Sequence, residues 1–152
     1  MQDTSIAQEA TGRRLIQLGV LLFLLGLLTG FVSPSLANPR LGLTSHLEGL
    51  LNGMFLVVLG LVWPRLVLPG WARAAGFVLL VYGTFANWLT TLLGAAWGAG
   101  GRLMPIAAGG FEGTRLEEVL VAFGLLSLSL AMVAGCVLVL FGLSRPAPAS
   151  SS

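Results

Sequence analysis

The chain has 152 residues, of which 56% are hydrophobic and 9% charged, with a formal net charge of +2. So apolar a composition cannot furnish a water-compatible surface, and it reads as an integral membrane protein. The basic residues are eight arginines and no lysine, scattered through loops and helix ends, which makes the lipid bilayer a partner and argues against nucleic acid.

Four apolar blocks follow one another at about 15–37, 45–66, 72–97 and 115–143. Each is long enough for the roughly 20 helical residues that cross a hydrocarbon core, so the predicted fold is an all-α, four-helix transmembrane bundle over residues 15–143. Residues 1–14 form an N-terminal polar segment whose head, Met1 to Thr11, reads as disordered. Arg13 and Arg14 precede the first block as they would a signal peptide. Its apolar run exceeds the usual 7–15 residues or so, and no small-residue cleavage site follows cleanly, so it is predicted to be a true span. Pro34 and Pro39 punctuate the next connector, Pro64 to Gly70 the one after, and glycines fill Gly98 to Gly110. The tail 144–152 holds only Pro, Ala and Ser beyond Arg145 and reads as disordered. Five arginines (13, 14, 65, 73, 145) fall on one side and three (40, 102, 115) on the other. That bias predicts a multi-pass protein of a cell membrane with both termini cytoplasmic.

Small residues recur at spacings of four, as in Gly26 and Gly30, Gly49 and Gly53, Gly94 and Gly98, and Ser127, Ala131 and Gly135. Such spacing brings helix backbones close, within one chain or between subunits. The lone Cys136, deep in an apolar run, reads as a packing residue.

Polar residues inside spans are costly, so their placement carries the functional signal. With a rise of about 1.5 Å per residue, Asn52 lies roughly 10 Å below one membrane face and Asn87 roughly 15 Å below the same face. His46 and Glu48 stand above Asn52, Thr90 and Thr91 above Asn87, and Glu117 and Glu118 begin the fourth helix on that side. The group is a candidate site. Its members also have structural readings: Asn52 and Asn87 as interhelical hydrogen-bond glue, Glu117 and Glu118 as first-turn acids, Glu48 as the partner of a surface arginine. At about 100° per residue, Gly49 and Gly53 share the His46 face of their helix, and Glu48 points nearly opposite. Two glycines beneath an imidazole would leave a recess for a planar macrocycle, so haem with His46 as its one protein ligand is sterically reasonable. Glu48 is by residue type the candidate general acid or base. No dinucleotide fingerprint is present, so no nicotinamide is expected.

The run from His46 through Phe55, ending at Trp63 and Pro64, together with Tyr82 to Trp88 and Gly94 to Gly100, resembles the (hydroxyamino)benzene mutase family of small bacterial membrane proteins. The likeness covers about Leu41 to Arg145. It implies an isomerase that converts hydroxylaminobenzene, an aromatic hydroxylamine, to 2-aminophenol in the bacterial inner membrane. A histidine, five residues, then Asn, Gly and Met, here His46, Asn52, Gly53 and Met54, is also similar to styrene oxide isomerase, a homotrimer whose ferric haem b acts as a Lewis acid. That likeness implies His46 as the iron ligand, and Asn52 and Asn87 as substrate-facing, while the recess reading puts Gly49 and Gly53 beside the cofactor. The isomerase's pocket tyrosine falls on Thr91. Phe55, Phe85, Trp88 and Thr91 are the expected pocket wall, and Glu48, Asn52 and Asn87 the expected catalytic set. A small transporter, or a haem-binding subunit of a larger complex, is the alternative function.

Overall fold

A computed structural model describes residues 2–145, with side chains from residue 6 onward, so all but the start of the expected disordered tail lies outside the described residues. Five helices follow in order: α1 (Gln2–Val32), α2 (Pro39–Val62), α3 (Gly70–Trp97), a single-turn α4 (Pro105–Ala108) and α5 (Arg115–Ser144). All but α4 are long and apolar enough to cross a membrane. The chain is an all-α membrane bundle.

Helix α1 starts at Gln2, so the polar head expected to be disordered is helical from that residue on. Ala7, Gln8, Glu9 and Ala10 favour helix, and the Gln8 side-chain amide donates to the Leu66 carbonyl at 3.1 Å, tying this end to the α2–α3 connector. Helix α2 starts at Pro39 rather than near residue 45, because Asn38 caps it. The Asn38 Oδ1 accepts from the Leu41 amide at 3.1 Å, and proline occupies the first turn, where its missing N–H costs nothing. Helix α3 ends on Gly98 in the left-handed region at φ 69°, a geometry that favours glycine.

Helix α1 packs chiefly on α2, and α3 on α5, with the α2–α3 contact joining the two pairs. The α1–α2 contact is a glycine seam. A Cβ on Gly12 would sit 2.6 Å from the Gly60 carbonyl oxygen, one on Gly19 2.6 Å from that of Gly53, and Gly26 and Gly49 meet backbone to backbone. On the other pair, Gly83 admits Met132, and Gly124 and Gly135 admit Thr90 and Leu80. The small-residue spacings thus serve packing within the chain. Leu15, Leu22, Leu56, Leu59, Trp63 and Leu80 form the core between the first three helices. Cys136 is exposed on the outer side of α5, where sequence reasoning had expected packing.

Candidate active site

The three residues expected to be catalytic meet between α2 and α3. The Glu48 Oε2 accepts from the Asn52 Nδ2 at 3.0 Å, one turn along its own helix, and also from the Asn87 Nδ2 across the helix contact. Asn52 is 8% exposed, and Glu48 and Asn87 are half-buried. No buried polar side-chain atom lacks a partner among the described residues. The Glu48 Oε1 and the two amide carbonyls therefore open to a surface rather than being sealed inside. Glu48 pairs with amides, not with Arg40, Arg102 or Arg115, and that leaves it acceptor capacity for a ligand.

His46 lies on the other side of α2. Its Nδ1 stands 2.7 Å from the Gly26 carbonyl oxygen on α1. A carbonyl only accepts, so Nδ1 is the donor, and in the neutral ring the lone pair is on Nε2. Nε2 has no hydrogen-bond partner among the described residues and is not a sealed buried atom, so it reaches the bundle's outer surface. A ring nitrogen bonded to a backbone carbonyl, with the other nitrogen free, is the usual state of a metal-ligating histidine. Gly30 makes room for the ring: a Cβ there would lie 2.8 Å from Nδ1. Among the described residues no three His, Cys, Asp or Glu side chains converge. A bare ion held by protein donors does not fit. A single imidazole suits a macrocycle that brings its own donors.

The recess expected below His46 is filled by α1. Gly49 meets Gly26, and a Cβ on Gly53 would come within 2.7 Å of the Gly19 carbonyl oxygen and the Phe23 amide. The wheel argument placed these glycines on one face correctly, but the neighbouring helix takes that face. Further along it, a shallow apolar groove of about 320 Å³ opens outward between Val20, Phe23, Gly53, Met54 and Val57.

Phe55, Phe85 and Trp88 pack against the leucine core. The Trp88 Nε1 donates to the Thr29 Oγ1 at 2.9 Å, bridging α3 to α1, and the Ser45 hydroxyl donates to the Trp88 carbonyl at 3.0 Å. Thr91 is 2% exposed, with its hydroxyl donating to the Asn87 and Trp88 carbonyls. These four side chains brace the helices that carry Glu48 and Asn87.

The profile of the styrene oxide isomerase family matches residues 11–144. The chain belongs to that family. Hydroxylaminobenzene mutase HabB of Ectopseudomonas oleovorans is 66% identical over 137 residues, 90% of this chain and 83% of the relative. Hydroxylaminobenzene mutase HabA of the same organism is 50% identical over 127 residues, 84% of this chain and 94% of the relative. No solved structure matches. With such relatives, this member of the styrene oxide isomerase family is an isomerase of the mutase kind.

In this family member Glu117 and Glu118 are structural. The Glu117 carboxylate and the Thr114 side chain form a reciprocal capping box at the start of α5. The Glu118 carboxylate accepts from the backbone amides of Gly100, Gly101, Arg102 and Gly113, at 2.8 to 3.3 Å, holding the glycine-rich connector in place. Asn38 went unnoticed in the sequence and is fully buried. It donates from Nδ2 to the Ala108 carbonyl at 2.8 Å and from its backbone to that of Ala95 at 2.9 Å, so it clamps this end of the bundle. The Asn-Pro pair was the available signal, being a helix-start pattern. Thr29 and Ser45 carried no signal beyond being polar within apolar runs.

Proposed function

We propose that this isomerase converts hydroxylaminobenzene to 2-aminophenol. The reading is supported by the 66% identity to a relative of that name over 90% of the chain, and by a carboxylate and two amides gathered inside a membrane span. Substrate and product are isomers. The N–O bond breaks, a C–O bond forms at the ortho carbon, that carbon loses a proton and the nitrogen gains one, so no external oxidant or reductant is required. Glu48 is the group that takes and returns the proton, with Oε2 anchored by Asn52 and Asn87 and Oε1 open. The second N–H and the carbonyl of each amide remain to orient the hydroxylamine.

His46 would hold a ferric haem b through Nε2. The chemistry such a group would supply there is that of a Lewis acid, which would draw charge from the N–O bond. The support is the Nδ1 bond to the Gly26 carbonyl, which fixes the ring and its tautomer.

His46 and Glu48 flank the exposed stripe of Leu43, Leu47, Leu51, Met54 and Val58 from opposite edges of α2. One chain therefore aims its imidazole and its carboxylate in different directions. A homotrimer resolves this: the His46 edge of one chain meets the Glu48 edge of the next, and cyclic symmetry repeats the site at each interface. The protein lies in the bacterial inner membrane with both termini cytoplasmic, a placement supported by the arginine bias.

Purified protein given hydroxylaminobenzene, with nothing added, is expected to form 2-aminophenol, and Glu48→Gln to lose roughly a hundredfold or more in rate. A well-folded wild-type protein that forms no 2-aminophenol would overturn the assignment. An active protein without a Soret band would overturn only the haem.

A further inference from the structure

At the opposite end of the bundle from His46, a cavity of about 330 Å³ lies between the start of α1 and the start of α3. Gln8, Thr11, Arg14 and Arg73 form its polar wall, and Phe77 and Val78 its apolar one. We propose that it binds an anionic phospholipid, with the phosphate on the two arginines and an acyl chain along Phe77 and Val78.

The charge is one-sided: among the described residues no carboxylate lines the cavity, and two guanidinium groups from different helices do. Guanidinium presents paired N–H donors that match phosphate oxygens. The walls are tied together, since the Gln8 amide bonds the Leu66 carbonyl and Trp63 closes the back at 1% exposure. Gly70, the first residue of α3, stands at the open mouth, with no atom within 4 Å of where its Cβ would stand.

Depth identifies the source of the phosphate. Arg73 stands in the first turn of α3, and Phe77 and Val78 follow one turn later, roughly 6 Å further into the membrane. Val78 is 62% exposed, so the apolar wall is open on the lipid side. A polar rim at headgroup level above an apolar wall at acyl level matches a phospholipid from top to bottom. A free phosphate would use the rim and leave the wall bare.

The test uses the purified full-length protein in detergent, with bound lipid counted by native mass spectrometry after adding phosphatidylglycerol, phosphatidylcholine or inorganic phosphate. Wild-type protein is expected to retain one phosphatidylglycerol per chain, and R14Q/R73Q to show occupancy roughly tenfold lower, as two basic contacts at an anionic lipid are removed. R13Q is the control, because Arg13 lines a neighbouring depression with Glu9 and not this cavity. It is expected to bind as wild type. Ala74→Phe fills the cavity without changing charge and is expected to exclude the lipid, which decides the matter if the double variant does not fold. Equal retention by wild type, R14Q/R73Q and Ala74→Phe would overturn the proposal. So would an equal loss in R13Q, equal retention of phosphatidylcholine, or inorganic phosphate displacing the lipid.

Discussion

His46 owes its orientation to two glycines on the facing helix. Gly26 offers a carbonyl to Nδ1, and Gly30 leaves space for the ring, with a would-be Cβ at 2.8 Å from the same nitrogen. Adding a methyl group at Gly30 must push the imidazole aside and break a hydrogen bond worth about 1 kcal/mol. If His46 holds haem as proposed, Gly30→Ala is therefore expected to lose haem and turnover together while the bundle still folds. Gly70→Ala, with open space around it, is expected to change neither. Absorption spectra and circular dichroism of the two variants check this, and a Gly30→Ala protein with full haem content would show that the ring needs no such space. Much of this was legible beforehand, since His46, Glu48, Asn52 and Asn87 stand out as polar residues in an apolar chain. What was not legible is which neighbour each one meets. The helical wheel gives directions around α2, and only the packing of α1 against it shows that the glycine face is taken.

The helices differ in what holds them. The α1–α2 pair rests on Gly12, Gly19 and Gly26 facing Gly60, Gly53 and Gly49, so its contact is backbone on backbone. Those α1 glycines recur every seven residues, a period missed by looking only at spacings of four. A Gly19→Val side chain would start 2.6 Å from the Gly53 carbonyl oxygen and 2.8 Å from the Val57 amide. Neither can yield, and the expected cost is about 1–3 kcal/mol. It should appear as a lower thermal midpoint and, since His46 lies on the same seam, as lower turnover. Unchanged melting would contradict the seam's role. The start of α5 depends on polar groups instead. Glu118→Ala frees four backbone amides of the connector, and since the group is partly solvated the expected loss is about 1 kcal/mol. Faster proteolysis between Gly98 and Gly113 with little change in global melting is the expected signature. Helix existence was readable from hydropathy alone. The start of α5 at Arg115 was readable too, whereas the starts of α1 and α2 fall earlier than hydropathy places them, because of the tie from Gln8 to Leu66 and the Asn38 cap.

At the scale of the whole molecule, one chain presents His46 and Glu48 on opposite edges of a single helix. The wheel already had Glu48 pointing away from His46, and the contacts of α2 with α1 on one side and α3 on the other account for the separation. Sequence alone could not say how such edges meet, because oligomeric contacts leave no periodic mark distinct from lipid exposure. A site shared between subunits, as proposed, would make the activity a property of the assembly, and mixing variants tests that most directly. His46→Ala and Glu48→Gln chains, each inactive alone, are co-expressed and purified together, and hydroxylaminobenzene turnover is measured. Random mixing around a cyclic ring leaves both intact groups at roughly a quarter of the interfaces, so about a quarter of wild-type activity is predicted. Mixed oligomers that are folded and stay inactive would contradict a site shared between subunits.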